Sequence, residues 1–239
     1  MKLLNRPPTL GRVVIDRVRE SILRGELLPG APLREVQISN SLGVSRGTLR
    51  EAIRQLYDEG LVEILPHRGA FVARLSRERA KEIYTLRALL EPYAVRVTAE
   101  MKGFDPHDLD ELDALVDHWG ELEKEDDIYG ILEAEIEFHR KICQRSGHRL
   151  LLGVLDNLVS QTQLFILHTK LYQTDLVPDK VSHRAILDAI RSGDPASIED
   201  AVRQHIVEAG DRLISRLEAL ELQSSISSPD LTVVAVGNE

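Results

Sequence analysis

The sequence is poor in aromatic residues and in cysteine. Aromatic side chains make up 4% of the 239 residues, and there is one cysteine, Cys143. A single cysteine excludes an intramolecular disulfide framework and is typical of an intracellular protein. So few aromatic rings argue against RNA binding by base stacking.

Long apolar runs are also missing. No continuous run approaches the ~18 residues that a membrane-spanning helix needs, the longest being segments such as residues 150–155. The first eight residues lack the apolar core of about 7–15 residues that a secretory signal requires. We therefore expect a cytoplasmic protein that does not interact with membranes.

The charge of the chain is divided unevenly. The formal net charge is −9, which by itself is unfavourable for binding nucleic acid. Residues 1–75 nevertheless carry 12 lysines and arginines against 8 aspartates and glutamates, a net of +4, whereas the remaining 164 residues carry a net of −13. A basic front and an acidic back predict that only the front contacts a polyanion.

Residues 1–75 have the pattern of a winged helix-turn-helix. Apolar residues at helical spacing predict three short helices, of which the third begins after Ser45 and ends at Gly60. Apolar and polar residues alternate loosely on both sides of a Pro-His-Arg-Gly turn, which predicts a small β-hairpin over residues 61–73. Three short helices followed by a hairpin predict a DNA-binding domain of this class.

Residues 76–222 are predicted to form an all-helical, antiparallel bundle. Helical periodicity runs through this part, and six helices are separated by short breaks near residues 103–106, 124–127, 147, 175–178 and 193–195. Pro92 is a candidate kink in the first of them. Residues 223–239 are rich in serine and lose the periodicity, so we predict a flexible tail, within which residues 232–236 could pair as a strand.

The third helix of the front domain is predicted to read DNA. Its apolar residues fall on one face: Leu49, Ala52, Ile53 and Leu56. The opposite face carries arginines one turn apart: Arg46, Arg50 and Arg54. Such a row fits the major groove, where arginine pairs with guanine, and a helix start at Ser45 and Gly47 suits a phosphate oxygen. A solvated face paired with Glu51 and Glu59 is the alternative, and the neighbouring helix and wing favour DNA.

Four residues of the back domain are candidate metal ligands. Glu135 and His139 are four residues apart and share one helix face. His183 and His205 lie ten and eleven residues on either side of the tight turn at residues 193–194, so both are ~15 Å from it on antiparallel helices. One carboxylate and three imidazoles suit zinc above all, and also nickel, iron or manganese. A hydrogen-bonded core histidine and a surface Glu/His pair are the alternatives.

The remaining histidines and the cysteine are given simpler roles. Cys143 is one turn beyond His139 and is a candidate fifth ligand, although a small buried core residue is the favoured interpretation. Five histidines are interpreted as surface or packing residues: His67, His107, His118, His148 and His168.

The front domain resembles a known family. The stretch LREVQISNSLGVSRGTLREAIRQLYDEGLVEILPHRGAFV, residues 33–72, is similar to the DNA-binding domain of GntR-type bacterial transcription regulators. The family usually has Thr-Pro or Thr-Thr where residues 47–48 are Gly-Thr. The resemblance implies DNA contacts from the second helix, the third helix and the wing tip: Arg34, Ser45, Arg46, Gly47, Arg50, Arg68 and Gly69.

The back domain resembles the all-helical FCD-type effector domain of the FadR branch of that family. The similar stretches are EIYTLRALLEPYAVRVTAE (82–100), EAEIEFHRKICQRSGH (133–148) and SHRAILDAIRSGDPASIEDAVRQHI (182–206). In metal-binding members of this branch an aspartate and three histidines hold the ion. The matching positions here are Glu135, His139, His183 and His205, so a glutamate replaces the aspartate.

Effector pockets of this branch typically receive a small carboxylate. Arg87 is the residue we place opposite that carboxylate, because a guanidinium binds one bidentately. The alternative is that Arg87 pairs with Glu91 on the helix surface. Asn157 and Gln161, polar residues four apart in an otherwise apolar helix, are further candidates for the pocket wall.

These features predict a homodimeric, ligand-responsive transcription regulator, most often a repressor. Its partners would be a palindromic double-stranded DNA operator and a small organic-acid effector. The alternative is a metal-dependent hydrolase that uses the Glu135/His139/His183/His205 cluster. Against an enzyme, the sequence has no His-Glu-x-x-His motif, no nucleophile elbow and no glycine-rich phosphate loop.

Overall fold

The computed structural model describes residues 9–101, 103–125, 127–170 and 180–227. The described elements in chain order are α1 (Leu10–Leu23), α2 (Glu35–Leu42), α3 (Arg46–Asp58), β1 (Val62–Leu65), β2 (Gly69–Val72), α4 (Arg77–Met101), α5 (Pro106–Glu125), α6 (Ile128–Gln144), α7 (Arg149–Thr169), α8 (Lys180–Ser192) and α9 (Pro195–Ser227). The predicted fold class is confirmed, since an N-terminal winged helix-turn-helix is followed by a bundle of helices.

The three helices and the hairpin of the front domain share one apolar core. Ser45 caps α3 by accepting a hydrogen bond from the backbone N–H of Thr48, which supplies a partner to an otherwise unpaired donor. The predicted inner face of α3 is buried: Leu49, Ala52, Ile53 and Leu56. It packs against apolar residues of α1: Val14, Ile15, Val18 and Ile22.

The wing is a two-stranded antiparallel hairpin. Val62 pairs with Val72 at its base, and Leu65 pairs with Gly69 at its tip. Gly69 has a φ of +93°, a left-handed backbone conformation in which a side chain is strained. The tip between the strands is exposed, so Arg68 projects away from the domain.

The described part of the back domain contains the six predicted helices, α4 to α9. Helix α4 continues through Pro92. Helix α9 continues to Ser227 and so extends into residues 223–227, which we predicted to lie in the tail, because adding residues to an existing helix costs little even without an apolar face. The predicted break at residues 175–178 and the candidate strand at 232–236 lie outside the described residues.

Helix α7 is strongly apolar, although polar residues interrupt its apolar runs. Within the described ranges it is the one helix that is long and apolar enough to cross a membrane by length and composition. More than half of its most apolar stretch is buried inside the protein. A core helix of a soluble protein passes the same test.

The same helix joins the two domains. The predicted boundary after residue 75 falls in the short segment between β2 and α4. Leu164 of α7, however, is 1% exposed and belongs to the apolar core of the front domain. Nearby, the Nε2 atom of His168 is 2.9 Å from the carbonyl oxygen of Ile22, at the end of α1.

A second junction lies at Gly60, just beyond α3. A Cβ atom at this position would be 2.4 Å from the side-chain nitrogen of Gln161 on α7. Gln161 is itself held in place, because its oxygen accepts hydrogen bonds from the guanidinium of Arg79 at 2.6 and 3.0 Å. Gly60 therefore allows the front domain to approach α4 and α7 closely.

The close approach predicts different costs for two glycines. Gly43 and Gly60 both have positive φ, of +66° and +74°, but of the two only Gly60 has another group within 4 Å of where a Cβ atom would lie. We expect Gly43→Ala to lower the free energy of unfolding by about 1 kcal/mol, from backbone strain alone. Gly60→Ala should cost roughly 1 kcal/mol more, because Gln161 must leave Arg79. Urea denaturation of both variants measures the difference, and equal midpoints would contradict the close approach.

Candidate metal centre and DNA-binding surface

The predicted DNA-contacting residues all lie on the surface of the front domain. Arg34 precedes α2, three more lie at the start of α3, and Arg50 follows one turn later. Each of the seven is exposed: Arg34, Ser45, Arg46, Gly47, Arg50, Arg68 and Gly69. At the wing, the guanidinium of Arg68 is 5.7 Å from the ring centre of Phe71. Helix α3 and the wing therefore offer exposed cationic groups from the same domain.

A carboxylate that the sequence analysis did not single out orients two of these arginines. Glu35, in the first turn of α2, accepts a hydrogen bond from the Nε atom of Arg50 at 2.8 Å. The same carboxylate oxygen is 3.6 Å from the guanidinium of Arg46. All three side chains are at least partly exposed, so this pairing contributes little to stability and chiefly restricts where the guanidinium groups point.

The four candidate metal ligands converge inside the bundle. Glu135 and His139 come from α6, His183 from α8 and His205 from α9. One ligand atom from each lies within 4.8 Å of the other three, and all four residues are buried. The rings of His183 and His205 are 4.4 Å apart, as expected from their equal distance from the turn between α8 and α9.

The donor set suits a divalent cation. The Nε2 atoms of His139 and His205 face each other at 3.2 Å, and the Nδ1 atom of His205 is 3.2 Å from the hydroxyl of Ser182. Burial, and after it the neighbouring His183 and His139, lower the pKa of His205 well below its usual range. Neutral imidazoles are the form that binds a metal, and imidazole nitrogens and carboxylate oxygens are both ligands that zinc and similar ions accept.

Arg87 and Glu91 form a buried pair beside this cluster. The Nε atom of Arg87 donates to one oxygen of Glu91 at 2.6 Å, and both side chains are almost fully buried. Burial alone would raise the pKa of Glu91, but attraction from Arg87 and then from His139 lowers it to about 2. The pairing that we considered as a surface alternative therefore exists, but in the interior.

The second oxygen of Glu91 contacts one of the candidate metal ligands. It lies 2.7 Å from the Nδ1 atom of His139. Arg87 in turn reaches α7, where its Nη1 atom donates to the hydroxyl of Thr162 at 3.3 Å. The sequence analysis considered Glu91 only as a partner of Arg87 and did not assign it to the site. Its position four residues after Arg87 was the one signal in the sequence.

The cavity beside Arg87 is small. It measures about 10 Å³, room for about one water molecule, and α6 and α7 supply most of its wall. The polar residues of α7 that line it are Thr162 and Gln163. The structure does not bring Asn157 or Gln161 there: Asn157 lines a groove between the domains, and Gln161 contacts Arg79.

Trp119 covers one side of the cluster. Its ring centre on α5 is 4.5 Å from that of His183, and the indole is fully buried. Phe138 on α6 contacts the same imidazole at 5.1 Å. These apolar rings keep water away from the ligands and raise the effective strength of charge interactions in the site.

Comparison with known proteins agrees with both resemblances. Residues 10–72 match the family described as "Bacterial regulatory proteins, gntR family", and residues 82–208 match the FCD domain. The chain belongs to the GntR family of bacterial transcription regulators. A relative from Paenarthrobacter nicotinovorans, named "Probable D-xylose utilization operon transcriptional repressor", is 30% identical over 83% of this chain and 86% of its own length. The family gives no support to the hydrolase alternative.

Two further similar proteins match this chain over most of its length. The galactonate operon transcriptional repressor of Escherichia coli K12 is 26% identical over 84% of this chain and 95% of its own. A GntR regulator from Rhodococcus sp. RHA1, solved by crystallography, has a TM-score of 0.73 at 25% identity and covers 86% of this chain and 97% of its own. The Rhodococcus structure therefore has the same two-domain fold as this chain.

Cys143 is a core residue in this structure and is not among the four converging ligands. It is fully buried on α6, and burial raises the pKa of its thiol well above the usual range. Because the thiolate is the reactive form, we expect the native protein to react with a thiol reagent roughly 100-fold more slowly than the unfolded chain. Labelling with a chromogenic disulfide, with and without urea, measures both rates. Equal rates would show that the thiol is accessible.

Proposed function

We propose that this GntR regulator is a homodimeric, ligand-responsive repressor that binds a palindromic operator in the bacterial cytoplasm. Its back domain holds a divalent metal, zinc in the first instance, and receives a small carboxylate effector. The observation that carries this proposal is that α7 contacts both domains. Thr162 contacts Arg87 in the buried site, and Leu164 lies in the core of the DNA-binding domain.

The DNA-binding part of the proposal rests on α3 and the wing. The exposed arginines of α3 suit the edges of bases in the major groove, and Arg68 at the wing tip suits the phosphate backbone. The acidic bundle repels DNA, so the basic front domain determines how the protein docks.

Homodimerisation is supported by an exposed apolar face on adjoining helices. Five large apolar residues lie exposed on α4 and α7: Leu86, Leu89, Tyr93, Leu150 and Val154. Tyr93 contacts His148 at the beginning of α7, which places these two groups next to each other. A two-fold dimer would bury this face twice and present two recognition helices to the two halves of a palindrome.

The effector response is supported by the size of the cavity. A space of about 10 Å³ is too small for an organic acid, so a carboxylate that reaches Arg87 has to displace the wall of the cavity, most of which α6 and α7 supply. Helix α7 also holds the front domain through Leu164 and His168. An effector therefore favours a different placement of the DNA-binding domain, which gives the two states different affinities for DNA.

The recognition helix gives the first test. We expect Arg46→Ala to weaken binding to the operator by about 5- to 150-fold, which corresponds to the ~1–3 kcal/mol of one arginine–guanine contact. The operator is first selected from a pool of random duplexes with the unmodified protein, and affinities are then measured by gel shift. Arg191→Ala, which changes an exposed arginine of the bundle, is the control and should leave affinity unchanged. Unchanged affinity for Arg46→Ala would contradict the docking.

The metal part is tested by elemental analysis of protein purified without chelators. The unmodified chain should contain close to one divalent metal ion, and His139→Ala combined with His183→Ala should contain almost none, because half of the ligand set is lost. His118→Ala, which removes an exposed histidine of α5, is the control and should retain the metal. Absence of stoichiometric metal from the unmodified chain would refute this part of the proposal.

A further inference from the structure

Two buried polar atoms, one on Glu91 and one on the candidate ligand His139, make no well-aligned hydrogen bond with any described residue. Glu91 Oε2 and His139 Nδ1 lie only 2.7 Å apart, although their alignment does not make a hydrogen bond. Glu91 is ionised, since its other oxygen lies 2.6 Å from the guanidinium of Arg87. A carboxylate and a bare ring nitrogen would repel each other at this distance, so the contact favours a hydrogen of His139 on Nδ1.

We propose that Glu91 is a positioning residue that holds His139 with its hydrogen on Nδ1 and its Nε2 lone pair directed at a divalent cation. This inference rests on the proposed metal site and adds one residue to it. Metal-binding histidines commonly donate their second N–H to a carboxylate, which fixes the ring and strengthens it as a ligand. Here the carboxylate comes from α4, whereas the four ligands come from α6, α8 and α9.

Arg87 has a second role in this arrangement. Its guanidinium is engaged by Glu91 and by Thr162, so it fixes the carboxylate that fixes His139. The series Arg87, Glu91, His139 therefore links the effector-binding residue that we propose to one metal ligand. A change in the contacts of Arg87 is transmitted to the cluster through Glu91.

The two facing histidines differ in how firmly they are held. The Nδ1 atom of His205 meets the hydroxyl of Ser182, which can donate or accept a hydrogen bond, so His205 can take either tautomer. The Nδ1 atom of His139 meets a carboxylate that only accepts. One ligand is thus fixed in advance of metal binding, and its neighbour adapts.

The test uses two variants and a matched control. Glu91→Gln keeps the volume of the side chain but leaves Arg87 buried without a counter-charge, which can prevent folding. Arg87→Met combined with Glu91→Leu removes both charges together, an exchange that buried ion pairs often tolerate. The control is Glu121→Gln, because Glu121 pairs with the Nδ1 atom of His118 at 3.2 Å in an exposed setting on α5.

Zinc affinity is measured by competition with a chelator of known affinity. We expect both Glu91 variants to bind zinc about 10- to 100-fold more weakly than the unmodified chain, and Glu121→Gln to bind it equally well. Nitrogen NMR of the metal-free protein gives a second readout, which a merely structural role would not change. His139 should carry its hydrogen on Nδ1 in the unmodified chain and lose this preference in the double variant.

Either of two results would overturn the inference. One is a folded Glu91 variant that binds zinc as tightly as the unmodified chain, and the other is an unmodified chain in which the hydrogen of His139 lies on Nε2. If the unmodified chain binds no zinc at all, the proposed metal site fails instead. The NMR measurement on the metal-free protein then still decides the role of Glu91.

Discussion

The burial of two opposite charges in the middle of the helical bundle constrains everything around them. Arg87 and Glu91 are one turn apart on α4, and neither is reached by water. A buried charge without a partner costs ~3–5 kcal/mol, so the pair fixes its neighbours as well as itself. Arg87 reaches Thr162 on α7 and Glu91 reaches His139 on α6. The relative positions of α4, α6 and α7 are therefore set by directional polar contacts in addition to apolar packing.

Helix α7 connects this buried pair to the DNA-binding domain. Thr162 faces the polar interior of the bundle, and Leu164, two residues later, is packed in the core of the winged helix. Because both residues belong to one rigid helix, a displacement at the first is also a displacement at the second. The effector response proposed above depends on this connection, which two domains joined by a loose linker would lack.

The sequence predicted the helices, and the pairs Glu135/His139 and His183/His205, because these depend on local spacing; that the two pairs meet was indicated by the family resemblance. It did not predict the orientation of α7: we placed Asn157 and Gln161 in the pocket, whereas Thr162 and Gln163 line it. One residue along a helix is a rotation of 100°, and α7 is apolar on almost every side, so no polar face fixes its orientation. Glu91 was recognised as a partner of Arg87 by its spacing, but burial depends on what the other helices cover.

The chain has one tryptophan, and it lies against a candidate ligand. Trp119 is fully buried, and its ring centre is 4.5 Å from that of His183. Light absorption redistributes charge within an indole. The wavelength and intensity of its fluorescence therefore respond to a charge placed at such a distance in a medium of low polarity. The protein thus contains an intrinsic fluorescent reporter, free of background from other tryptophans, beside the proposed metal site.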